Sequence, residues 1–381
     1  MIGLIGVAVL LCLYGLLIFY YFRWWKEVPH FDSKSTESFV ASEKISVIVP
    51  ARNEEEGIEQ CIRSLLAQSY PKSLLEIIIV DDHSTDETAA IVKRYAEYGV
   101  QLISLQDVVL PGQYTIAFKK KAIEAAIRKA SGTLIVTTDA DCTFHENWLR
   151  CLASFHRHTK SVFIVAPVKI KPDRTLLSGF QCLDFAILQG ITAASVHHRF
   201  HSMCNGANLA YEKDVFQSVN GFEDIDHIAS GDDMLLMQKI KTRYPNGIAY
   251  LLCAEAVVET QPAAGWRAFF HQRVRWASKT GQYKDKRIAG VLLLVYLLNL
   301  CLFILLAGSI WYPHWLLFFV IFVLIKTIIE WRFVGSVLRY FRLKQLMRWF
   351  LPFQPLHIVY IVVAGFFSSF KHYDWKGRRV R

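Results

Sequence analysis

The sequence has no Cys-x-x-Cys pair, although it carries eight cysteines: Cys12, Cys61, Cys142, Cys151, Cys182, Cys204, Cys253 and Cys301. Their irregular spacing argues against zinc ligation. A disulfide framework is not expected in so long a chain, and the usage fits a reducing cytosol. No nucleic-acid-binding signature is present. The net charge of +10 therefore points to anionic lipid headgroups and a phosphorylated, nucleotide-linked substrate, with no nucleic-acid partner. Internal repeats, low-complexity tracts and long linkers are absent. The histidines, among them His197, His198 and His201, lack metal-ligand spacing and read as surface or core residues.

Apolar residues, by contrast, are plentiful: 53% of the 381 positions. That supports one large domain plus membrane segments. Ile2–Phe22 is an unbroken apolar run of the roughly 20 residues that span a bilayer as a helix. It has no preceding positive charge and no small-residue cleavage site, so it reads as an anchor rather than a cleaved signal. Arg23 and Lys26 follow it and place the next domain in the cytosol by the positive-inside rule. A second run, Ile288–Ile310, follows Lys284, Lys286 and Arg287, and a third, Leu316–Trp331, carries Lys326. The stretch 332–350 mixes Arg332, Arg339, Arg342, Lys344 and Arg348 with leucines and aromatics, the pattern of a basic amphipathic helix on the membrane surface. Pro352–Phe370 is a fourth apolar run. The expected organisation is an anchor at 1–26, a soluble domain at 43–286, membrane segments at 287–370 and a basic tail at 371–381. Four crossings put that tail, KHYDWKGRRVR, outside, against its charge.

Between the apolar ends the chain alternates. ISVIVP (Ile45–Pro50) and LEIIIVDD (Leu75–Asp82) are buried-strand patterns, and GIEQCIRSLLAQ (Gly57–Gln68) has helical periodicity. TDETAAIVKRYAEYG, VQLISL, KKKAIEAAIRKASG and TLIVTTDADC continue the series. Strand–helix–strand units in sequence predict an α/β fold with a mostly parallel sheet. Ligands bind such sheets beyond the carboxyl ends of their strands, where Asp81, Asp82, Asp139 and Asp141 fall.

Asp139 and Asp141 alternate at a strand end, so an extended backbone points them to one side. Two neighbouring carboxylates are costly unless a cation shares them, and Mg²⁺ or Mn²⁺ binds through such groups together with substrate phosphates. The alternative is a solvated acidic turn. Asp81 and Asp82 can accept from a uracil N–H or from ribose hydroxyls, while Ser84 or Asp86 caps the helix that follows. Asp232 and Asp233 open an apolar helix, as N-cap or as a general base that takes a hydroxyl proton. The turn from Pro50 and Ala51 to Glu54 offers backbone groups and a carboxylate to a nucleotide, or is a plain loop favoured by the helix dipole. The run Lys119–Lys121, with Lys119 and Lys120 as the candidates, neutralises phosphates or lies solvated at a helix start. Gln272, Arg275 and Trp276 are spaced i, i+3, i+4 and share one helical face just before Ile288. An interfacial anchor explains the Arg and Trp equally well.

In order, VIVPARNEE, VDDHSTD, DAD, the GDD of SGDDMLL, and QRVRW resemble the family 2 glycosyltransferases of GT-A fold over Ile45–Lys279. CNGANLAYEKDVFQSVNGF resembles the family's acceptor-side segment. The Gln-x-x-Arg-Trp motif is similar to that of membrane-embedded members: cellulose, chitin, hyaluronan and poly-N-acetylglucosamine synthases and ceramide glucosyltransferases. The resemblance implies a cytosolic GT-A domain in an integral membrane protein that transfers sugar from a UDP-sugar with inversion. Asp81 and Asp82 would meet uridine, and Asp139 and Asp141 the phosphates and metal, with Asp141 the more direct ligand. Asp233 would be the base. Asp232 stands where the family has Glu, which shortens that side chain. Lys119 or Lys120 would be the lysine many members place before the corresponding helix. Arg275 would reach the diphosphate, Trp276 would offer a flat surface to the acceptor, and Gln272 would orient it.

The acceptor implied is a growing polysaccharide, or a membrane lipid in a single-transfer reaction, and membrane lipids surround both. A non-catalytic membrane scaffold is the reading from a different class, which the intact motifs oppose.

Overall fold

The computed structural model describes residues 2–32, 40–108, 116–283, 285–368, 373–375 and 378–380; Lys284 and the other residues of the 371–381 tail lie outside these. After α1 (Ile2–Glu27) the chain builds β1 (Ile45–Ala51), α2 (Ile58–Leu66), β2 (Leu75–Asp81), α3 (Thr88–Lys93), β3 (Val100–Ser104), α4 (Phe118–Lys129), β4 (Leu134–Thr137) and α5 (Trp148–Thr159). Then come β5 (Phe163–Val165), β6 (Val168–Ile170), α6 (Leu176–His197), β7 (Leu209–Glu212), α7 (Lys213–Ser218), α8 (Asp232–Arg243), β8 (Ile248–Tyr250), β9 (Val258–Thr260) and α9 (Trp266–Ala277). The chain ends with α10 (Lys286–Gly308), α11 (His314–Tyr340), α12 (Gln354–Ser368), β10 (Tyr373–Trp375) and β11 (Arg378–Val380).

The main sheet has the strand order β3-β2-β1-β4-β7-β5-β8. Only β7 runs against its neighbours, β4 and β5; the remaining pairs are parallel. Strands β1 and β2 are covered on both faces, which is why they read as continuous apolar runs rather than as alternation. Helix α2 buries Ile58, Cys61, Ile62 and Leu65, the i, i+3, i+4, i+7 stripe expected of a helix laid on a sheet. The helix expected over Thr85–Gly99 is shorter. It gives way to a 3₁₀ turn at Ala96–Tyr98, and Gly99 at φ 84° ends it in the left-handed region.

Among the described residues three helices are long and apolar enough to cross a membrane: Gly3–Glu27 within α1, α6 and α10. Sequence reasoning passed over α6. Of its most apolar window 67% is buried in the protein, against 22% for α1 and 28% for α10. Helix α6 packs on α1, α11, β6 and β8, so its apolar character serves an interior. Helix α1 has two apolar faces. Val7, Leu11, Tyr14, Ile18 and Tyr21 turn inward, while Ile5, Val9, Leu13 and Leu16 are exposed.

The break expected at 331/332 does not exist. Helix α11 runs through it for 27 residues, because its charges are matched internally. Lys326 Nζ lies 2.8 Å from Glu330 Oε1 and donates to Gln354 Oε1 at 2.8 Å. Gln354 Nε2 donates to Glu330 Oε2 at 2.7 Å, and the Tyr14 hydroxyl donates to the same carboxylate. The expected amphipathic helix over 332–350 is therefore corrected. Its first part completes α11, Arg342 turns left-handed at φ 58°, and Lys344–Trp349 form a 3₁₀ turn. Helix α12 has only 15 residues, and the β10–β11 hairpin lies against α9 beside the sheet domain.

Candidate active site

The carboxyl ends of β1, β2 and β4 face the first turns of α4 and α8 and the residues just beyond α9. Asp81 is the last residue of β2, in register with Ala51, and Pro50 pairs with Val80. The Asp82 amide donates to Ala51 O at 2.8 Å, and Asp82 Oδ1 lies 2.9 Å from His83 Nδ1. Arg52 donates to the carbonyls of Asp82 and His83. Asp81 differs from Asp82: its Oδ1 is buried and accepts no hydrogen bond. The Glu54 amide donates to Thr88 Oγ1, and its carbonyl accepts from Gly57 and Ile58 where α2 begins. Asp86 accepts from the amides of Glu55 and Thr88, and Ser84 Oγ from that of Asn53, so these groups tie the two loops together.

Asp139 and Asp141 lie past the end of β4 in a turn, not on the strand, and they do not face one way. Asp139 Oδ1 accepts from Lys119 Nζ at 2.7 Å, whereas Asp141 Oδ2 accepts from Thr260 Oγ1 at 2.8 Å. Lys119 Nζ also lies 3.4 Å from Asp232 Oδ2, so one ammonium bridges the two carboxylate motifs. Lys120 points elsewhere. It is buried and donates to the carbonyls of Ile225 and Ile228 at 2.6 and 2.8 Å, securing the loop before α8, and burial pulls its pKa down to about 8.

Asp232 and Asp233 are the first two residues of α8, behind Gly231 at φ 77°. Asp233 Oδ2 accepts from the Gly206 amide at 3.0 Å and Oδ1 from the Met234 amide at 2.7 Å. A Cβ on Gly206 would lie 3.3 Å from Lys119 Nζ and 3.4 Å from Asp232 Oδ2, a tight fit against the two bridged side chains. Burial pushes the Asp233 carboxyl above its usual pKa, and the neighbouring Asp232 charge adds to this. At Asp232 burial acts the same way, but Lys119, Lys279 and Lys120 outweigh it and hold the pKa low. Burial also opposes the charge on Lys119, yet Asp139, Asp232 and Asp233 raise its pKa above the usual value.

Helix α9 carries Gln272, Arg275 and Trp276. Gln272 Oε1 is buried without a hydrogen-bond partner. Arg275 is half-buried, and its charge bears on Lys279. Trp276 does not present two open faces: the Arg273 guanidinium stacks on its ring 4.3 Å from the centroid. Arg273 also lies over Phe269 and places Nη2 2.8 Å from Asp184 Oδ2, an ion pair out of hydrogen-bond alignment.

Four residues here escaped sequence reasoning. Lys279 sits with Asp232 and Asp233, where burial pulls its pKa down to about 8 against the pull of Asp233. It lies in the turn just beyond α9, four residues after Arg275, where helical spacing no longer applies. Arg273 gives no local signal either, because its partner Asp184 is distant in sequence. Asn208 is wholly buried, donates to the carbonyls of Pro167 and Ala256 at 2.8 Å, and accepts from Trp148 Nε1. Thr260 meets Asp141 only because β9 returns beside Thr143.

Among the described residues no three His, Cys, Asp or Glu side chains gather into a metal cage. Asp139 and Asp141 place two carboxylates in the turn after β4, held by Lys119 and Thr260 respectively, and carboxylate oxygens are the donor type that hard cations take together with phosphates.

Residues 46–219 match the description Glycosyl transferase family 2, and residues 134–368, more than half of the chain, match Glycosyl transferase family group 2. The chain is 26% identical over 237 residues to the probable glycosyltransferase YdaM of Bacillus subtilis, covering 61% of this chain and 54% of that protein. It is 24% identical over 283 residues to the poly-beta-1,6-N-acetyl-D-glucosamine synthase of Staphylococcus aureus strain COL, covering 72% of this chain and 64% of that one. The chain thus spans less than two thirds of the length of these relatives. In structure it is similar to the mannosyltransferase PcManGT from Pyrobaculum calidifontis, solved with GDP-Man and Mn²⁺, with a TM-score of 0.53 and 19% identity over 95% of this chain and 99% of that one. The fold is GT-A, with apolar helices at both ends of the catalytic domain, and the chain belongs to glycosyl transferase family group 2.

Proposed function

We propose that this glycosyltransferase moves a sugar from a UDP-sugar, with inversion, to a growing polysaccharide at the membrane. The observation that carries the reading is the Lys119 bridge between Asp139 and Asp232, which sets the carboxylate turn that would meet the diphosphate through a cation beside the buried Asp233. The unpartnered Asp81 Oδ1 suits a uracil N–H or a ribose hydroxyl, and Asp82, already held by His83, shapes the loop. Asp233 takes the proton of an acceptor hydroxyl. That oxygen forms a bond to the anomeric carbon as the bond to the diphosphate oxygen breaks, and UDP leaves with one more negative charge. Lys119, Arg275 and Lys279 are the cations that meet this charge. Asp139 and Asp141 would hold Mg²⁺ or Mn²⁺, which when bound neutralises the diphosphate. Gln272 Oε1 is a buried acceptor ready for an acceptor-sugar hydroxyl, and one face of Trp276 serves as a platform while Arg273 fixes the other.

Helices α1 and α10 have the length and apolarity of a span, and α11, 27 residues long with Lys326 paired to Glu330, turns an apolar face outward as they do, which supports insertion of these three helices in a bilayer. Three crossings keep the basic tail on the cytosolic side with the sheet domain. This replaces the four crossings expected from the sequence and removes their conflict with the positive-inside rule. Such a small set of spans also favours a second acceptor, a membrane lipid that receives a single sugar.

The test is nucleotide release from membranes bearing the chain, across a panel of UDP-sugars and GDP-mannose, with and without EDTA, followed by product sizing. UDP release from one donor, abolished by EDTA, is the expected result. GDP release or indifference to chelation contradicts the uridine or the metal assignment. A filter-retained polymer, or a single-sugar lipid on a thin-layer plate, separates the two acceptors.

A further inference from the structure

A cavity of about 570 Å³ lies away from the carboxylate cluster, between the last turns of α1 and α11 and the 3₁₀ turn that follows. Its lining includes Lys26, Arg332, Arg339 and Lys344, with Phe22 and Trp331 as aromatic walls and no acidic side chain. Arg332 and Arg339 are seven residues apart and share one face of α11. Gly335, on the same face, leaves the floor open: a Cβ there would meet nothing closer than Met347 Cε at 3.9 Å. None of the four cations has a carboxylate within ion-pair distance among the described residues. Nearby Glu27 is engaged by Arg23 and His198. Helices α1 and α11 run side by side, Tyr14 beside Glu330 and Trp25 beside Tyr340, so the pocket opens at the domain-side end of two membrane-length helices.

We propose that this pocket binds the headgroup of an anionic glycerophospholipid, a site separate from donor and acceptor binding. Four cations from three segments line this one pocket, the charge that a phosphodiester seeks. Exposed Trp331 flanks them as an interfacial aromatic does, and the apolar faces of α1 and α11 continue from the pocket as a path for acyl chains. A free nucleotide would not use that apolar continuation.

The proposal rests on the membrane reading above. Purified full-length chain in a zwitterionic detergent is titrated with dioctanoyl-phosphatidylglycerol, dioctanoyl-phosphatidylcholine and inorganic phosphate, binding being followed by native mass spectrometry. Phosphatidylglycerol is expected to bind at least about tenfold more tightly than phosphatidylcholine and to resist competition by phosphate. The Arg339→Gln/Lys344→Gln variant should lose about thirtyfold, and Lys344→Gln alone about fivefold, from roughly one kcal/mol per basic group near an anionic surface. The single variant, on an exposed turn, carries the test should the double variant fail to fold. Equal binding of the two lipids, wild-type binding by Lys344→Gln, or full displacement by phosphate overturns the proposal. A chain that purifies from the soluble fraction without detergent would instead overturn the membrane reading.

Discussion

Lys119 holds the two halves of the site in one electrostatic unit. Its ammonium contacts Asp139 and Asp232, and through Asp232 it sets the character of Asp233. Asp233 sits above its usual pKa because it is buried and because Asp232 remains charged beside it. A base with a raised pKa is protonated at a higher pH, so transfer falls as pH drops through that value, earlier than an ordinary carboxylate would allow. Asp232→Asn removes the like charge and lowers the Asp233 pKa. The acid limb of the kcat/KM profile should move to lower pH in this variant, whatever the loss in overall rate. An unmoved limb would show that Asp232 does not tune the base. The carboxylates were legible one by one in the sequence because strand ends and helix starts are local signals. Their pairing was not: extended geometry predicted Asp139 and Asp141 side by side, and the turn after β4 sends one to Lys119 and the other to Thr260.

Helix α9 is more than a carrier of Gln272, Arg275 and Trp276. Its Arg273 is buried at 4% exposure against an equally buried Asp184 of α6, and Asp184 Oδ1 accepts from Tyr360 of α12 at 2.7 Å. Three helices thus meet at one ion pair, and its guanidinium lies over the Trp276 ring. Removing one partner of a buried pair leaves the other uncompensated, at a cost of roughly 3–5 kcal/mol. Arg273→Met should lower the thermal midpoint of the detergent-solubilised chain, and Arg273→Met/Asp184→Leu should recover much of the loss; equal loss in both contradicts a paired role. The α9 face was readable from i, i+3, i+4 spacing. The role of Arg273 was not, since α6 and α12 bring its partners from far along the chain. Helix α6 hid for a related reason: Gln181, Asp184 and Gln189 sit on an otherwise apolar helix, and only its position between α1, α11 and the sheet explains them. Likewise Asn208 matters only because antiparallel β7 brings it to the carbonyls of Pro167 and Ala256.

At the scale of the whole molecule, α1, α6 and α11 pack together against the sheet domain, and the β10 strand of the tail lies against α9. The parallel half of the sheet was legible from alternating strand and helix patterns. The C-terminal helices were less so, because charge normally marks the end of an apolar helix, and Lys326 and Glu330 pair with each other inside α11. If three helices cross, the tail lies with the domain. A cysteine added after Arg381 should then be labelled by an impermeant reagent only once cells are opened; labelling of intact cells supports four crossings. Whether Asp233 is the base of a transferase is tested most directly by comparing wild type with Asp233→Asn in the same membranes for UDP-sugar binding and for transfer. Asp233→Asn should keep donor affinity within about threefold of wild type and lose transfer rate at least about a hundredfold, the range a positioned general base supplies. Transfer at the wild-type rate by Asp233→Asn would contradict that assignment.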